Sequence, residues 1–173
     1  MMLSATSTPL SFEVAIDRTQ ADAAVDVMHR AFAELSGRGG TSSALIETVA
    51  TLRDEMERGT DVGLVSCDGA PIAVVKHRAD DAGLLYFSRL GVLPEHRGGG
   101  IAAAVVHALR RSARERGLGG LSCAVRADET RNIALYERLG MRVTREYQLR
   151  SSLGVIRTVV DMADAPVAVS AGE

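Results

Sequence analysis

The sequence predicts an α/β (α+β) domain: a mixed central β-sheet with helices on its faces. Three observations lead there. Apolar, strand-like runs at Val62–Cys67, Ile72–Arg78 and Leu84–Val92 are separated by turn signals, Asp68-Gly69 and Asp80–Gly83, and read as an antiparallel meander. A glycine-rich turn then opens into an amphipathic helix, Gly100–Arg116, followed by a strand-like run at Leu118–Val125. A strand, a helix and a strand in succession make a crossover, so those two strands run parallel. Finally, Arg142–Leu149 and Val155–Met162 read as two closing strands.

The remaining elements follow from local pattern. Ser11–Ile16 alternates as a strand. Thr19 is positioned to cap a helix running to about Leu35, with Ala21, Val25, Met28, Phe32 and Leu35 on one face and His29 on the solvent side. After the breaker Gly37–Gly40, Thr41 or Ser42 is positioned to cap a second helix to about Arg58, striped by Leu45, Val49, Leu52 and Met56. In the crossover helix, Ile101, Val105, Ala108 and Leu109 face inward, and Arg110, Arg111, Arg114 and Glu115 outward. Asn132–Leu139 is a short helix ended by Gly140. The expected organisation is a polar N-terminus at residues 1–10, one domain at residues 11–162, and a flexible tail at residues 163–173.

Composition narrows the function classes. The chain has 173 residues, 46% of them apolar, which is ample for one core. Its formal net charge of −2 argues against non-specific nucleic-acid or membrane binding. No apolar run reaches the ~18–20 residues of a membrane span. The N-terminus lacks the basic-then-apolar pattern of a secretory signal, so a cytoplasmic location is expected. Cys67 and Cys123 are isolated in strand-like runs and read as buried thiols, with neither a disulfide nor a metal site expected.

The chemistry gathers at Leu90–Ala103, LGVLPEHRGGGIAA. Gly98, Gly99 and Gly100 let a ligand approach the backbone closely. Successive amides opening into a helix N-terminus form a cradle for phosphate, and Arg97 adds a cation at its mouth. A P-loop is excluded, because the only lysine is Lys76; a dinucleotide fingerprint is excluded by spacing.

The stretch resembles the acyl-CoA loop of the GNAT superfamily of N-acetyltransferases, Arg/Gln-x-x-Gly-x-Gly/Ala after a strand ending Val-x-Pro. Here those positions are Val92, Pro94, Arg97, Gly100 and Ala102. Downstream, Arg131–Met141 (RNIALYERLGM) resembles the family's second signature, with Leu135, Tyr136 and Gly140 in place and Met141 where Phe is usual. The order and separation of the two motifs match the family, as does the order of elements. One departure affects the site: Glu129 stands seven residues before the tyrosine, where the family often carries Asn, and Asn132 is the candidate substitute.

The resemblance implies a GNAT-like fold in which the two parallel strands splay apart, and acetyl transfer from acetyl-CoA to an amine. It implies that the pyrophosphate rests on the amides of Gly98, Gly99, Gly100, Ile101, Ala102 and Ala103, with Arg97 contributing through its amide or side chain. The strand edge at Leu90, Gly91 and Val92 would pair with the pantetheine, and a backbone N–H of Leu90 or Val92 would hold the oxyanion. Tyr136 is the candidate general acid for the leaving thiolate. No base is assigned; Tyr86, Ser88, Glu34, Glu47, His77 and His96 are weighed, and Glu95 reads as structural.

The acceptor, a small-molecule amine or a peptide or protein amine, would enter beside the two N-terminal helices, the loop Ser36–Ser43 and the hairpin around Ser151–Gly154. An edge strand of that hairpin could pair in a homodimer. Two other readings stand beside the enzyme: a GNAT-fold acyl-CoA-binding regulatory module without turnover, and a nucleotide-phosphate domain unrelated to CoA.

Overall fold

A computed structural model describes residues 9–34, 42–151 and 154–165. Its elements appear in the expected order: β1 (Leu10–Glu13), α1 (Ala21–Phe32), α2 (Val49–Glu57), β2 (Asp61–Cys67), β3 (Ala70–Ala79), β4 (Leu85–Val92), α3 (Ile101–Glu115), β5 (Leu121–Arg126), α4 (Thr130–Arg138), β6 (Met141–Arg150) and β7 (Ile156–Asp164). The seven strands are hydrogen-bonded in the order β1-β2-β3-β4-β5-β7-β6. The β4–β5 pair is parallel, with Leu85 opposite Leu121 and Tyr86 opposite Ser122, whereas β1–β2, β5–β7 and β6–β7 are antiparallel. The mixed sheet with one crossover pair is therefore present. By compactness the chain falls into two units, Met1–Lys76 with Arg89–Ala102, and His77–Ser88 with Ala103–Glu173.

In the first unit, α1 buries Ala21, Ala24, Val25, Val27, Met28 and Ala31. Its entrance differs from the sequence expectation. Asp17, not Thr19, is the cap, and a 3-10 turn at Arg18–Gln20 precedes the helix. The Asp17 carboxylate accepts the Thr19 N–H at 2.8 Å, while Gln20 Oε1 accepts the Asp17 N–H at 3.2 Å, a reciprocal capping box. The second helix is also not continuous. A 3-10 turn at Ser43–Ile46, capped by Ser42, is followed by extended Glu47, and α2 starts only after Thr48 caps it. Of the expected stripe only Leu52 is fully buried; Leu45, Val49 and Met56 are half-buried.

The break has a physical cause at Glu47. Its side chain is drawn inward to Lys76, and its carbonyl oxygen accepts from His29 Nε2 at 2.7 Å. His29, expected in solvent, is thus half-buried and engaged. Strands β2 and β3 read as near-continuous apolar runs because Val62, Leu64 and Val65, like Ile72 to Val75, are buried on both faces.

In the second unit, Leu121, Cys123 and Val125 of β5 lie buried, as do their β7 neighbours Val160 and Met162; Ser122 is half-buried and Ala124 exposed. Helix α3 contributes Val105, Val106, Leu109 and Ala113 to the core. Arg110, expected to face solvent, is half-buried and paired with Asp164 at 2.7 Å. Strand β7 accordingly runs to Asp164, two residues past the expected end. Both cysteines are free; Cys123 is buried as expected, but Cys67 is only half-buried, at the end of β2.

Candidate active site

The glycine loop is built in the first unit. Strand β4 ends at Val92, Leu93 is buried and its amide donates to the Ile72 carbonyl at 2.9 Å, and a 3-10 turn at Pro94–His96 aims the chain at the loop. Gly98 and Gly100 both take left-handed backbone angles, φ +82° and +79°, and neither has an atom within 4 Å of where a Cβ would stand. Only glycine adopts that conformation without strain. Gly98, Gly99 and Gly100 are exposed, and α3 starts immediately at Ile101. The first-turn amides of α3 have no carbonyl partner within the helix, and they carry the positive end of its dipole. Ile101 points its side chain into the core and so fixes the helix start, while Ala102 and Ala103 are half-buried.

One residue of the predicted set is placed differently from expectation. The Arg97 side chain does not stand at the cradle's mouth. Its Nε donates to the Val92 carbonyl at 3.1 Å, and its guanidinium binds Glu34 at 2.9 Å and the Ala31 carbonyl at 2.8 Å. It clamps the end of β4 to the end of α1, and the Arg97 amide donates to the Pro94 carbonyl at 3.3 Å, closing the 3-10 turn. Gly91 is a point of close packing. A Cβ there would sit 2.7 Å from Phe32 Cε2 and 3.0 Å from the Ala31 Cβ.

Tyr136 belongs to the second unit. It is 7% exposed, and its ring stands edge-on to Phe87 with centroids 5.5 Å apart and 80° between planes. Burial pushes its phenol well above the usual tyrosine range, with the neighbouring Cys123 and Glu129 adding to the rise, so the hydroxyl stays protonated at neutral pH. At the entrance to α4, Asn132 Nδ2 donates to Glu129 Oε2 at 2.9 Å, and Glu129 also pairs with Arg126 at 3.3 Å. The substitute Asn and the residue at the family's Asn position are therefore bonded to each other.

A sequence model of the acetyltransferase (GNAT) family matches residues 29–141, about two thirds of the chain. The protein belongs to the GNAT acetyltransferase family. No curated protein matches it in sequence. Its fold is shared by the ribosomal-protein-S18-alanine N-acetyltransferase of Escherichia coli, at TM-score 0.74 and 18% identity over 95% of this chain and 99% of that one. A Salmonella typhimurium protein assigned as an acetyltransferase, solved with its cofactor acetyl-CoA, aligns at TM-score 0.72 and 16% identity over 94% of this chain and 96% of that one. The PaiA N-acetyltransferase of Thermoplasma acidophilum in complex with coenzyme A aligns at 0.70 and 10%, over 88% and 98%. Of the three readings offered by the sequence, family membership leaves the two GNAT ones.

For this GNAT protein the carboxylates weighed as bases are engaged. Glu34 is held by Arg97; Glu95, read as structural, is held by Arg30 at 3.5 Å. Glu47 is 7% exposed, with Lys76 Nζ 2.6 Å from one oxygen and Arg89 Nε 3.5 Å from the other. Lys76 is itself 8% exposed and binds Glu55 at 2.6 Å. The sequence reading missed this buried network. Its one available signal was the chain's only lysine directly following four apolar strand residues, Ile72–Val75, because a charge in such a run needs a buried partner. Most of the acceptor loop, residues 36–41, and residues 152–153 of the hairpin lie outside the described residues. Among the described residues, no helix is long and apolar enough to cross a membrane.

Proposed function

We propose that the protein transfers the acetyl group of acetyl-CoA to a primary amine by direct attack. The observation that carries this is the loop: two exposed left-handed glycines, Gly98 and Gly100, leading without a break into the N-terminus of α3 in a GNAT-family chain. Structures with acetyl-CoA or coenzyme A among those sharing the fold support the choice of donor.

In this reading the pyrophosphate lies on the amides of Gly98 to Ala103. The pantetheine pairs with the backbone of Leu90 to Val92, and a backbone N–H of Leu90 or Val92 holds the oxyanion, a contribution of about 3–4 kcal/mol. The amine lone pair attacks the thioester carbon, the C–S bond breaks, the amine loses a proton and the thiolate gains one. Tyr136 donates toward the sulfur. In water a phenol is a weaker acid than a thiol, roughly 10 against 8.5, and burial widens that gap. Its contribution is therefore a hydrogen bond to the departing thiolate, and where the proton passes fully to sulfur, one from solvent replaces it on the phenol oxygen. No side chain is assigned as base, and the amine proton passes to solvent; the acceptor substrate is a small-molecule, peptide or protein amine, and we place the reaction in the cytoplasm.

The engaged state of Glu34 and Glu47 favours a second reading, a GNAT-fold acyl-CoA-binding module without turnover. Calorimetric titration of acetyl-CoA against ATP and NADH tests what the two readings share, and selective acetyl-CoA binding is expected. Free-thiol release across a panel of amines separates them. Equal binding of all three ligands would reduce the loop to a general phosphate nest.

A further inference from the structure

Among the described residues, Asp68 and Arg89 are the non-glycine residues with positive φ, at +50° and +54°. Asp68 lies in the two-residue turn between β2 and β3, where left-handed backbone is ordinary. Arg89 lies inside β4, a strand, and a long side chain has no intrinsic preference for that conformation. Such a residue persists only where its surroundings over-determine it, and a left-handed residue in a strand is one way a bulge is made. The next residue, Leu90, begins the segment assigned above to the acyl donor.

What over-determines Arg89 is its side chain. The guanidinium donates to Ser43 Oγ at 2.7 Å and faces Glu47 Oε2 at 3.5 Å. Glu47 cannot easily turn away. Its other carboxylate oxygen is 2.6 Å from Lys76 Nζ, its carbonyl oxygen accepts from His29, and its side chain is only 6% exposed. A planar guanidinium gripping two acceptors at fixed directions holds its own backbone in turn.

We propose that Arg89 is a positioning residue for the acyl donor: through Glu47 and Ser43 it maintains the left-handed kink of β4 that sets the direction of the Leu90–Val92 amides. The segment Ser42–Thr48, which leads into α2, is thereby fastened to the donor strand. This rests on the acyl-CoA reading of the loop.

The test is acetyl-CoA affinity by calorimetry, with denaturant stability measured on each variant. Arg89→Ala keeps the conformational cost and loses the grip, so affinity should fall about tenfold, equivalent to 1.4 kcal/mol. Arg89→Lys keeps a cation facing Glu47 but loses the planar fork that also holds Ser43, so it should recover only part of the loss. Arg89→Gly removes the side chain but adopts the left-handed angle freely, so it should bind close to wild type. Ser43→Ala, at an exposed turn, should give a smaller loss in the same direction, and it serves if Arg89→Ala does not fold. Unchanged affinity in Arg89→Ala and Ser43→Ala would overturn the proposal. Equal weakening in the Ala and Gly variants would also overturn it, because Arg89 would then touch the ligand directly. A wild-type protein that ignores acetyl-CoA would strike the reading beneath it.

Discussion

Arg110 and Asp164, 54 positions apart in the chain, meet through two parallel bonds: Nη2 to Oδ1 at 2.7 Å and Nε to Oδ2 at 3.0 Å. The pair also ties in backbone that would otherwise lack a partner. Asp164 Oδ2 accepts the Leu121 N–H at 3.0 Å, and Arg110 Nη2 donates to the Leu139 carbonyl at 2.7 Å. Their side chains are 21% and 12% exposed. Asp164→Ala leaves a largely buried cation and an amide unpaired, and should cost about 3 kcal/mol in denaturant unfolding. The double variant Arg110→Met with Asp164→Leu should lose clearly less than the sum of its single changes. Strict additivity would show that the pair is not coupled.

Gly91 and Phe32 set the closeness of β4 to α1. With a Cβ 2.7 Å from a ring carbon, Gly91→Ala should destabilise by about 1–3 kcal/mol, the usual cost of overpacking. For a chain of this size that lowers Tm by roughly 2–4 °C per kcal/mol. Adding Phe32→Leu should return part of the loss, and no recovery would place the strain elsewhere.

Gly100 meets no atom, so any substitution there acts through backbone strain and the ligand. Gly100→Ala should cost about 1–2 kcal/mol in stability. Gly100→Glu should in addition abolish acetyl-CoA binding by calorimetry, because it places an anion in the phosphate cradle. A Glu variant that binds normally would remove the loop from the site.

Tyr136→Phe retains the edge-on packing against Phe87 and deletes only the hydroxyl. Steady-state turnover should fall by about 10²–10⁴, the range for loss of a general acid, while acetyl-CoA affinity changes little. An unaltered rate would return Tyr136 to a packing role.

Stability should decline on the alkaline side. Burial, reinforced by the charges of Asp161 and Asp164, pushes the Cys123 thiol from 9.0 to about 12. The folded state therefore holds this proton where the unfolded chain has released it. The contribution is complete below about pH 9 and is lost as pH rises toward 12, at up to about 1.4 kcal/mol per pH unit. Tyr136 acts in the same direction, starting from its ordinary value of 10.0. Unfolding free energies measured across pH 8–11 should fall less steeply in Cys123→Ala than in the wild type.

Much of the candidate site's backbone was legible because its signals are local. Glycine spacing, a proline turn and helix periodicity located the loop at Gly98–Gly100, and Leu135-Tyr136 with Gly140 located the second motif. What the side chains do there was not legible. Nothing near Arg97 in sequence indicates that its guanidinium turns back to Glu34 and the Ala31 carbonyl. The continuous helix expected from Ser42 to Arg58 missed its break, because apolar spacing carries through Glu47 although the backbone does not.

By itself the sequence determined the order of strands and helices, the parallel crossover of β4 and β5, the glycine-rich loop that opens into α3, and the family. Each depends on hydrophobic period, turn chemistry or motif spacing within a few dozen residues. Only the tertiary structure decided which charges are buried and with whom: Lys76 with Glu47 and Glu55, Arg89 with Glu47, and Arg110 with Asp164. It also decided that Arg89 is left-handed inside a strand. A buried charge must find its partner wherever the fold brings one, at separations of 21 to 54 residues here, and no periodicity along the chain records that meeting.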